Sequence, residues 1–377
     1  MDFSVIIAEY NPFHKGHAYL IDKVKNDAPI VVIMSGAFVQ RGESAISDKY
    51  LRASSAIKAG ADIVLELPIP FSIAPAEKFA QGAFKLISSI DGDIRLCFGS
   101  ESGDKEKLLK TAEITYSLPK EIENDLKSNL KKGLSFPKSR DLAISDYAND
   151  RQLDLCDLSN ANDVLGIEYI NAAKKCGLKM DINVIKRTGS HNSLDINDHP
   201  SASAIRSLLK QGDFDKAYEL LPSYSHSLID FYKNFSFDDR IILNALTDTD
   251  ISSLFDVTVG LDNRISKSIY RAKSFEEAFA KMKSSRYSDS RLRRICLYAL
   301  LGITKDVFKE AEGANPIFNV LAAKKDSLKY LDRFNGKITF TQNELSKNDD
   351  ILSILTARSQ EKFNIINGNA IWKSELI

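Results

Sequence analysis

Four short runs set the terms for any fold of this chain: residues 5–8 (VIIA) and 30–34 (IVVIM), wholly apolar, and 62–67 (DIVLEL, closed by Pro68) and 95–98 (RLCF), mainly so. Each is strand-length, and none alternates apolar with polar as a half-exposed strand does. Apolar residues at successive positions imply burial on both faces, as in a parallel sheet covered by helices. Between the runs, residues 47–60 and 76–90 carry helical patterns, the first closed by Gly60. Residues 180–185 (MDINVI) predict a fifth strand. Residues 159–176 predict a helix before it, with Ser159, Asn160 and Asn162 as N-cap candidates. The alternation predicts an α/β fold with a doubly wound, Rossmann-like parallel sheet, whose ligands sit at the carboxyl ends of the strands.

The first run continues into a chemically loaded turn, and residues 5–20 read VIIAEYNPFHKGHAYL. Strand, Glu-Tyr-Asn-Pro turn and amphipathic segment together predict a helix start at His14, Lys15, Gly16 and His17. A helix N-terminus presents unpaired N–H groups and the positive end of its dipole, which favours a bound anion. His14 and His17, three residues apart, can reach the same anion, and a nucleoside triphosphate is the expected one. A second anion cradle is predicted at residues 200–209 (PSASAIRSLL), where Ser201, Ser203 and Arg206 open another helix. Taken alone, that stretch reads more readily as an ordinary N-cap with a surface arginine. Between two such cradles, imidazole N–H groups, Lys15 and Arg206 would stabilise charge developing at an α-phosphate under attack. No G-x-x-x-x-G-K-[ST] or G-x-G-x-x-G motif is present, which argues against a P-loop phosphotransferase and a dinucleotide oxidoreductase. Mg²⁺ is expected on the phosphates, held mainly by substrate oxygens and water, with no protein metal site.

At 377 residues the chain is expected to form two domains: residues 1–221, with a charged helical insertion or lid at 104–150, and a mainly helical region from 222 to 377. Strand-like pattern in the second is expected only near 337–341 (KITFT). Lys and Arg balance Asp and Glu at 51 each, so overall charge names no partner. Residues 264–294 are locally basic, with ten cations against three carboxylates and interleaved Tyr270, Phe275, Phe279 and Tyr287. That composition suits phosphate contacts and base stacking, and equally a solvated face. The four scattered cysteines form no C-x-x-C pair, an N-terminus carrying Asp2 lacks a basic leader, and no apolar run approaches about 20 residues. A cytoplasmic, membrane-free setting is expected.

The H-x-G-H turn followed by S-A-S-A-I-R resembles the nucleotidyltransferase superfamily with HIGH-type signatures. EYNPFHKGH (9–17), MSGAFVQRG (34–42), GADIVLELP (60–68), CFGSES (97–102), NDVLGIEY (162–169), SASAIR (201–206) and RYSDSRLRR (286–294) together resemble the bacterial tRNA(Met) cytidine acetate ligase family. The resemblance spans nearly the whole chain in the same motif order. It implies an enzyme in which acetate attacks the α-phosphate of ATP, giving acetyl-adenylate and pyrophosphate. The wobble cytidine of elongator tRNA(Met) then takes the acetyl group as N4-acetylcytidine and releases AMP. It implies ATP contacts at Ile7, Ala8, Glu9, Tyr10, Asn11, Pro12, Phe13, His14, Lys15, Gly16, His17, Ala18, Tyr19 and Leu20, and at Gly99, Asn162 and Arg187. His14, Lys15 and His17 are the expected catalytic groups, Ser201, Ser203 and Arg206 the phosphate loop, and Arg286, Arg291, Arg293 and Arg294 the tRNA contacts. One departure is RTGSHN (187–192), where the family tends to carry a Gly-x-Tyr-His-Asp-like loop; His191 is therefore not assigned to the site.

Two other readings remain open on the residues alone: a small-molecule adenylyltransferase or pantothenate-synthetase-like amide ligase, and a non-catalytic RNA-binding protein. The long basic helical region counts against the first, and intact His14, Gly16, His17 and Arg206 count against the second.

Overall fold

The structure is a computed structural model, describing residues 1–187, 201–235, 238–367 and the backbone of 375–376. Its centre is a sheet built from the predicted runs: β1 (Phe3–Ala8), β2 (Ile30–Ser35), β5 (Ile63–Leu67), β6 (Ile94–Ser100) and β7 (Asp181–Lys186). A short hairpin, β3 (Phe38–Val39) with β4 (Glu43–Ser44), interrupts what the sequence reads as a plain loop. The parallel strands lie in the order β5-β2-β1-β6-β7, so the strand order reverses between β1 and β6. That reversal opens a crevice above their carboxyl ends, where an open α/β sheet binds ligands. Every residue of β2 and β5 is buried, which explains the missing alternation.

Helices α1 (Lys15–Val24), α2 (Lys49–Ala59) and α3 (Ala76–Ile87) connect these strands. The insertion folds as α4 (Lys105–Ser117), α5 (Lys120–Lys131) and α6 (Phe136–Asp150) around a small core of Ile122, Leu126, Ala143 and Ile144. Helix α7 (Ala161–Lys175) precedes β7, and α8 (Ala202–Gln211) opens the segment beyond it.

The composition change near Pro222 is not a break in the core. β8 (Ile317–Ala323), deep in the helical region, pairs antiparallel with β5, and β9 (Lys337–Thr339) and β10 (Glu375–Leu376) share its outer edge. The largest apolar cluster runs unbroken from Phe3 to Ile366. β8, read as IFNVLAA, went unrecognised in the sequence because all seven residues are buried and no alternation marks it. It also brings a polar group inward: Asn319 Nδ2 donates to Glu66 Oε2 at 2.5 Å, and Lys49 Nζ meets the same oxygen at 2.8 Å. Lys49 and Glu66 are essentially inaccessible, so removing either would strand a charge at a cost of about 3–5 kcal/mol.

Candidate active site

The chain leaves β1 through a tightly folded turn. Tyr10 adopts a left-handed conformation (φ 49°), and the Asn11–Pro12 peptide is cis. Arg52, wholly buried on α2, pins this turn to its neighbour. Its guanidinium donates to the carbonyls of Glu9 (2.7 Å) and Ser35 (2.9 Å), and also to that of Gly36. Glu9 Oε1 accepts from Gln40 N–H at 2.8 Å, and Asn11 Oδ1 from Ile46 N–H at 2.9 Å. The loop between β2 and α2 is thus sewn to the β1–α1 turn. Asn11 Nδ2 is buried without a protein partner among the described residues.

His14 caps α1. Its Nδ1 accepts from Gly16 N–H at 3.1 Å, and its own N–H donates to His17 Nδ1 at 3.3 Å, a reciprocal capping box. Backbone N–H groups are obligate donors, so both Nδ1 atoms are acceptors and each ring carries its proton on Nε2. The rings stack with centroids 3.7 Å apart. Burial, aided by the Arg187 charge, pushes His17 down to about 3, keeping it neutral. Each imidazole is therefore a tautomer-fixed N–H donor.

Opposite, Ser201 caps α8 by accepting from Ala204 N–H at 3.1 Å. Ser203 Oγ lies within hydrogen-bond distance of both Arg206 Nη2 (3.2 Å) and Arg41 Nη1 (3.3 Å). Arg206 Nη1 donates to Asn11 O at 2.7 Å, which ties α8 to the β1–α1 turn. At the end of β6, Gly99 leaves room for Arg187: a Cβ there would stand 3.3 Å from the arginine Cγ. Glu101 accepts from Asn162 Nδ2 (2.5 Å) and Asp163 N–H (3.0 Å), closing the α7 N-terminus. Asp163 in turn accepts from Ser100 Oγ and from Ser102 N–H (3.1 Å), so CFGSES and NDVLGIEY form one unit.

These parts enclose a cleft of about 500 Å³. It gathers Ile7, Ala8, Glu9, Tyr10, Asn11, His14, Gly16, His17, Tyr19, Leu20, Gly99, Asn162, Arg187, Ser201 and Ser203. Arg206 borders it through Ser203 and Asn11. Pro12, Phe13, Lys15 and Ala18 do not line it; Phe13 belongs to the core and Lys15 is exposed on the first turn of α1. Sequence reasoning passed over Gln40, Arg41, Phe79, Tyr169 and Ser290 as cleft residues. Arg41, beside a glycine just past a strand end, carried a legible signal; the others did not. Pro137 brings the start of α6 to the rim. The RTGSHN departure falls mostly on residues 188–192, outside the described residues, as does Pro200.

The basic C-terminal motif also reaches this cleft, through Ser290. The helix Asp289–Leu301 lays its first turn on the β3–β4 turn, where Gly42 (φ 77°) leaves no room for a Cβ: it would stand 2.5 Å from Arg294 N. Arg294 is buried and donates to Gln40 O at 3.3 Å. Arg291 donates to Asp256 O (2.7 Å) and pairs with its carboxylate at 3.0 Å. Arg293 packs over the Phe279 ring and faces Glu43 at 3.7 Å. Of the arginines expected to meet RNA, Arg291 is thus paired with Asp256 and Arg294 is buried within the fold. Arg286 is exposed, as are Lys267, Tyr270, Arg271 and Lys273. Among the described residues no helix is long and apolar enough to cross a membrane.

An imidazole-capped helix start facing a serine-capped one, across the switch point of a parallel sheet, is the architecture of a HIGH-type nucleotidyltransferase. The family described as HIGH Nucleotidyl Transferase matches residues 1–370. Within that class the chain belongs to the tRNA(Met) cytidine acetate ligase family. It is 36% identical to the tRNA(Met) cytidine acetate ligase of Thermoanaerobacter sp. (strain X514), over 96% of this chain and 90% of that one. It is 34% identical to the Clostridium perfringens (strain ATCC 13124) enzyme of that name, over 93% and 89%. A crystal structure of Thermotoga maritima TmcAL bound with alpha-thio ATP superposes with a TM-score of 0.82 at 27% identity, covering 98% of this chain and 96% of that one.

Proposed function

We propose that the chain is an ATP-dependent ligase that acetylates the exocyclic amine of the wobble cytidine in elongator tRNA(Met), through acetyl-adenylate. The observation that carries this reading is the convergence on one cleft of two helix N-termini, two Nε2–H imidazoles and the guanidiniums of Arg41, Arg187 and Arg206. Donors fixed before the reaction suit a triphosphate whose α-phosphorus is attacked. A relative of the same fold bound to an ATP analogue supports ATP as the ligand.

In the first step an acetate oxygen attacks the α-phosphorus of ATP and pyrophosphate leaves. His14 and His17 Nε2–H groups and the arginines stabilise the charge accumulating on the phosphoryl oxygens and the leaving group. Holding acetate and ATP in line supplies much of the acceleration, and no protein nucleophile is needed. Magnesium would ride on the phosphates, supplying further charge neutralisation. In the second step the cytidine amine attacks the acetyl carbonyl and AMP leaves. RNA contact falls to exposed cations, Arg286 and the Lys267, Arg271 and Lys273 group beside Tyr270, which is 67% exposed. A cytoplasmic setting goes with such a substrate.

Incubating the protein with ATP, Mg²⁺, labelled acetate and elongator tRNA(Met) should place label on the RNA as N4-acetylcytidine and release AMP. Acetate-dependent ATP–pyrophosphate exchange without RNA labelling would favour the small-molecule amide ligase. Absence of both would leave an RNA-binding protein.

A further inference from the structure

Among the described residues lining the cleft, Glu9 is the one carboxylate, surrounded by groups suited to an anion. A negative side chain beside a triphosphate is unfavourable unless it performs a task. Its Oε1 accepts from Gln40 N–H at 2.8 Å, which fixes the plane of the carboxylate; Oε2 has no hydrogen-bond partner among the described residues. Arg52 anchors the Glu9 carbonyl at 2.7 Å, so the backbone beneath is fixed too. The Gln40 carbonyl, in the following peptide unit, accepts from Arg294, and Ser290, one turn earlier on that helix, lines the cleft. Glu9 therefore lines the same cleft as Ser290 of the C-terminal region. Its charge is felt by Arg206 on the phosphate side and by Tyr169 on the other.

We propose that Glu9 is the proton acceptor of the second step, an assignment that rests on the acetyl-transfer reading above. As the cytidine N4 bonds to the acetyl carbonyl carbon, one N4 proton passes to Glu9 Oε2. The acyl C–O bond to the phosphate then breaks, its electron pair leaves with AMP, and Glu9 later releases the proton to solvent. The Gln40 N–H orients the carboxylate.

The variant E9Q isolates this role, because the glutamine oxygen still accepts from Gln40 N–H while the base is lost. Two rates are compared: acetate-dependent ATP–pyrophosphate exchange, and single-turnover transfer from synthetic acetyl-adenylate to tRNA(Met). Transfer should fall about 10²-fold or more relative to exchange, the usual range for a general base. Equal losses in both rates would place Glu9 in adenylation instead and overturn the assignment. So would E9Q with wild-type transfer alongside an impaired E9A, which marks a purely structural role. If the wild-type chain exchanges pyrophosphate but transfers nothing to RNA, the function reading fails first and independently of Glu9.

Discussion

Arginines in two places meet the same loop and do opposite things. Arg41 and Arg206 reach Ser203 Oγ, and Arg206 also holds the Asn11 carbonyl. Arg291 faces the Asp256 carboxylate at 3.0 Å and Arg293 faces Glu43 at 3.7 Å, while Arg294 is buried against the Gln40 carbonyl. Arg41 lines the cleft, and Arg206 borders it through Ser203 and Asn11. In the second, Arg291 and Arg293 face carboxylates and Arg294 a carbonyl, and Arg293 and Arg294 join the helical region to the loop at residues 36–48. The partner each guanidinium meets inside the fold, not the local density of basic residues, separates the two groups.

The comparison breaks most sharply at the imidazoles. H17A should lower acetate-dependent ATP–pyrophosphate exchange by about 10²-fold or more, since it removes a fixed donor at the developing charge. Exchange within a few fold of wild type, in a variant that melts normally, would mean the cleft does not stabilise that charge as described. R206K comes next: it keeps the charge but loses the planar fork that spans Asn11 O and Ser203 Oγ, and should raise the ATP KM by roughly tenfold. R294K should leave the ATP KM closer to wild type and show itself instead as a lower melting temperature. Equal effects of the two lysine variants on KM would erase the distinction between the groups.

How much of this was legible beforehand follows from what each signal depends on. The five parallel strands and the His14–His17 helix start were readable because they depend on local pattern: short, mainly apolar runs between turn signals, and a turn feeding a capped helix. β8 was not, because a strand buried on both faces in a helical context is indistinguishable by pattern from a buried helix segment. Asn162 and Arg187 could be reached only through family resemblance. Asn162 is placed by a carboxylate 61 residues away, and Arg187 by the space Gly99 leaves. The basic motif misled for the converse reason: Asp256 lies 35 residues from Arg291 and Gln40 lies 254 from Arg294, and no window of sequence shows that pairing.

A smaller effect sharpens the other half of the comparison. If the exposed group carries the RNA contact, the combined variant K267A/R271A/K273A should weaken tRNA(Met) binding several-fold and lower the slope of log affinity against log salt by about 3 at most, one per lost phosphate contact. Exchange should stay at the wild-type rate. An unchanged slope would return Lys267, Arg271 and Lys273 to the role of a solvated face and shift attention to Arg286.

The smallest expected effect concerns protons. His17 is pushed down to about 3 in the folded protein, from an ordinary value of 6.5, by burial first and the Arg187 charge second. Between those two values the unfolded chain binds a proton at this residue that the folded chain does not. By linkage, its contribution is fully present above about pH 6.5 and is lost progressively as pH falls toward 3. Other groups titrate over the same range, so the informative quantity is the wild-type melting temperature minus that of H17Q, whose amide can still accept from His14 N–H. That difference should hold level above pH 7 and decline as the solution is acidified below 6.5. A level difference down to pH 4 would show that His17 accepts a proton as readily folded as unfolded. The imidazole would then be a cation under mildly acidic conditions, and its role at the α-phosphate would be that of a charge rather than of a neutral, tautomer-fixed N–H donor.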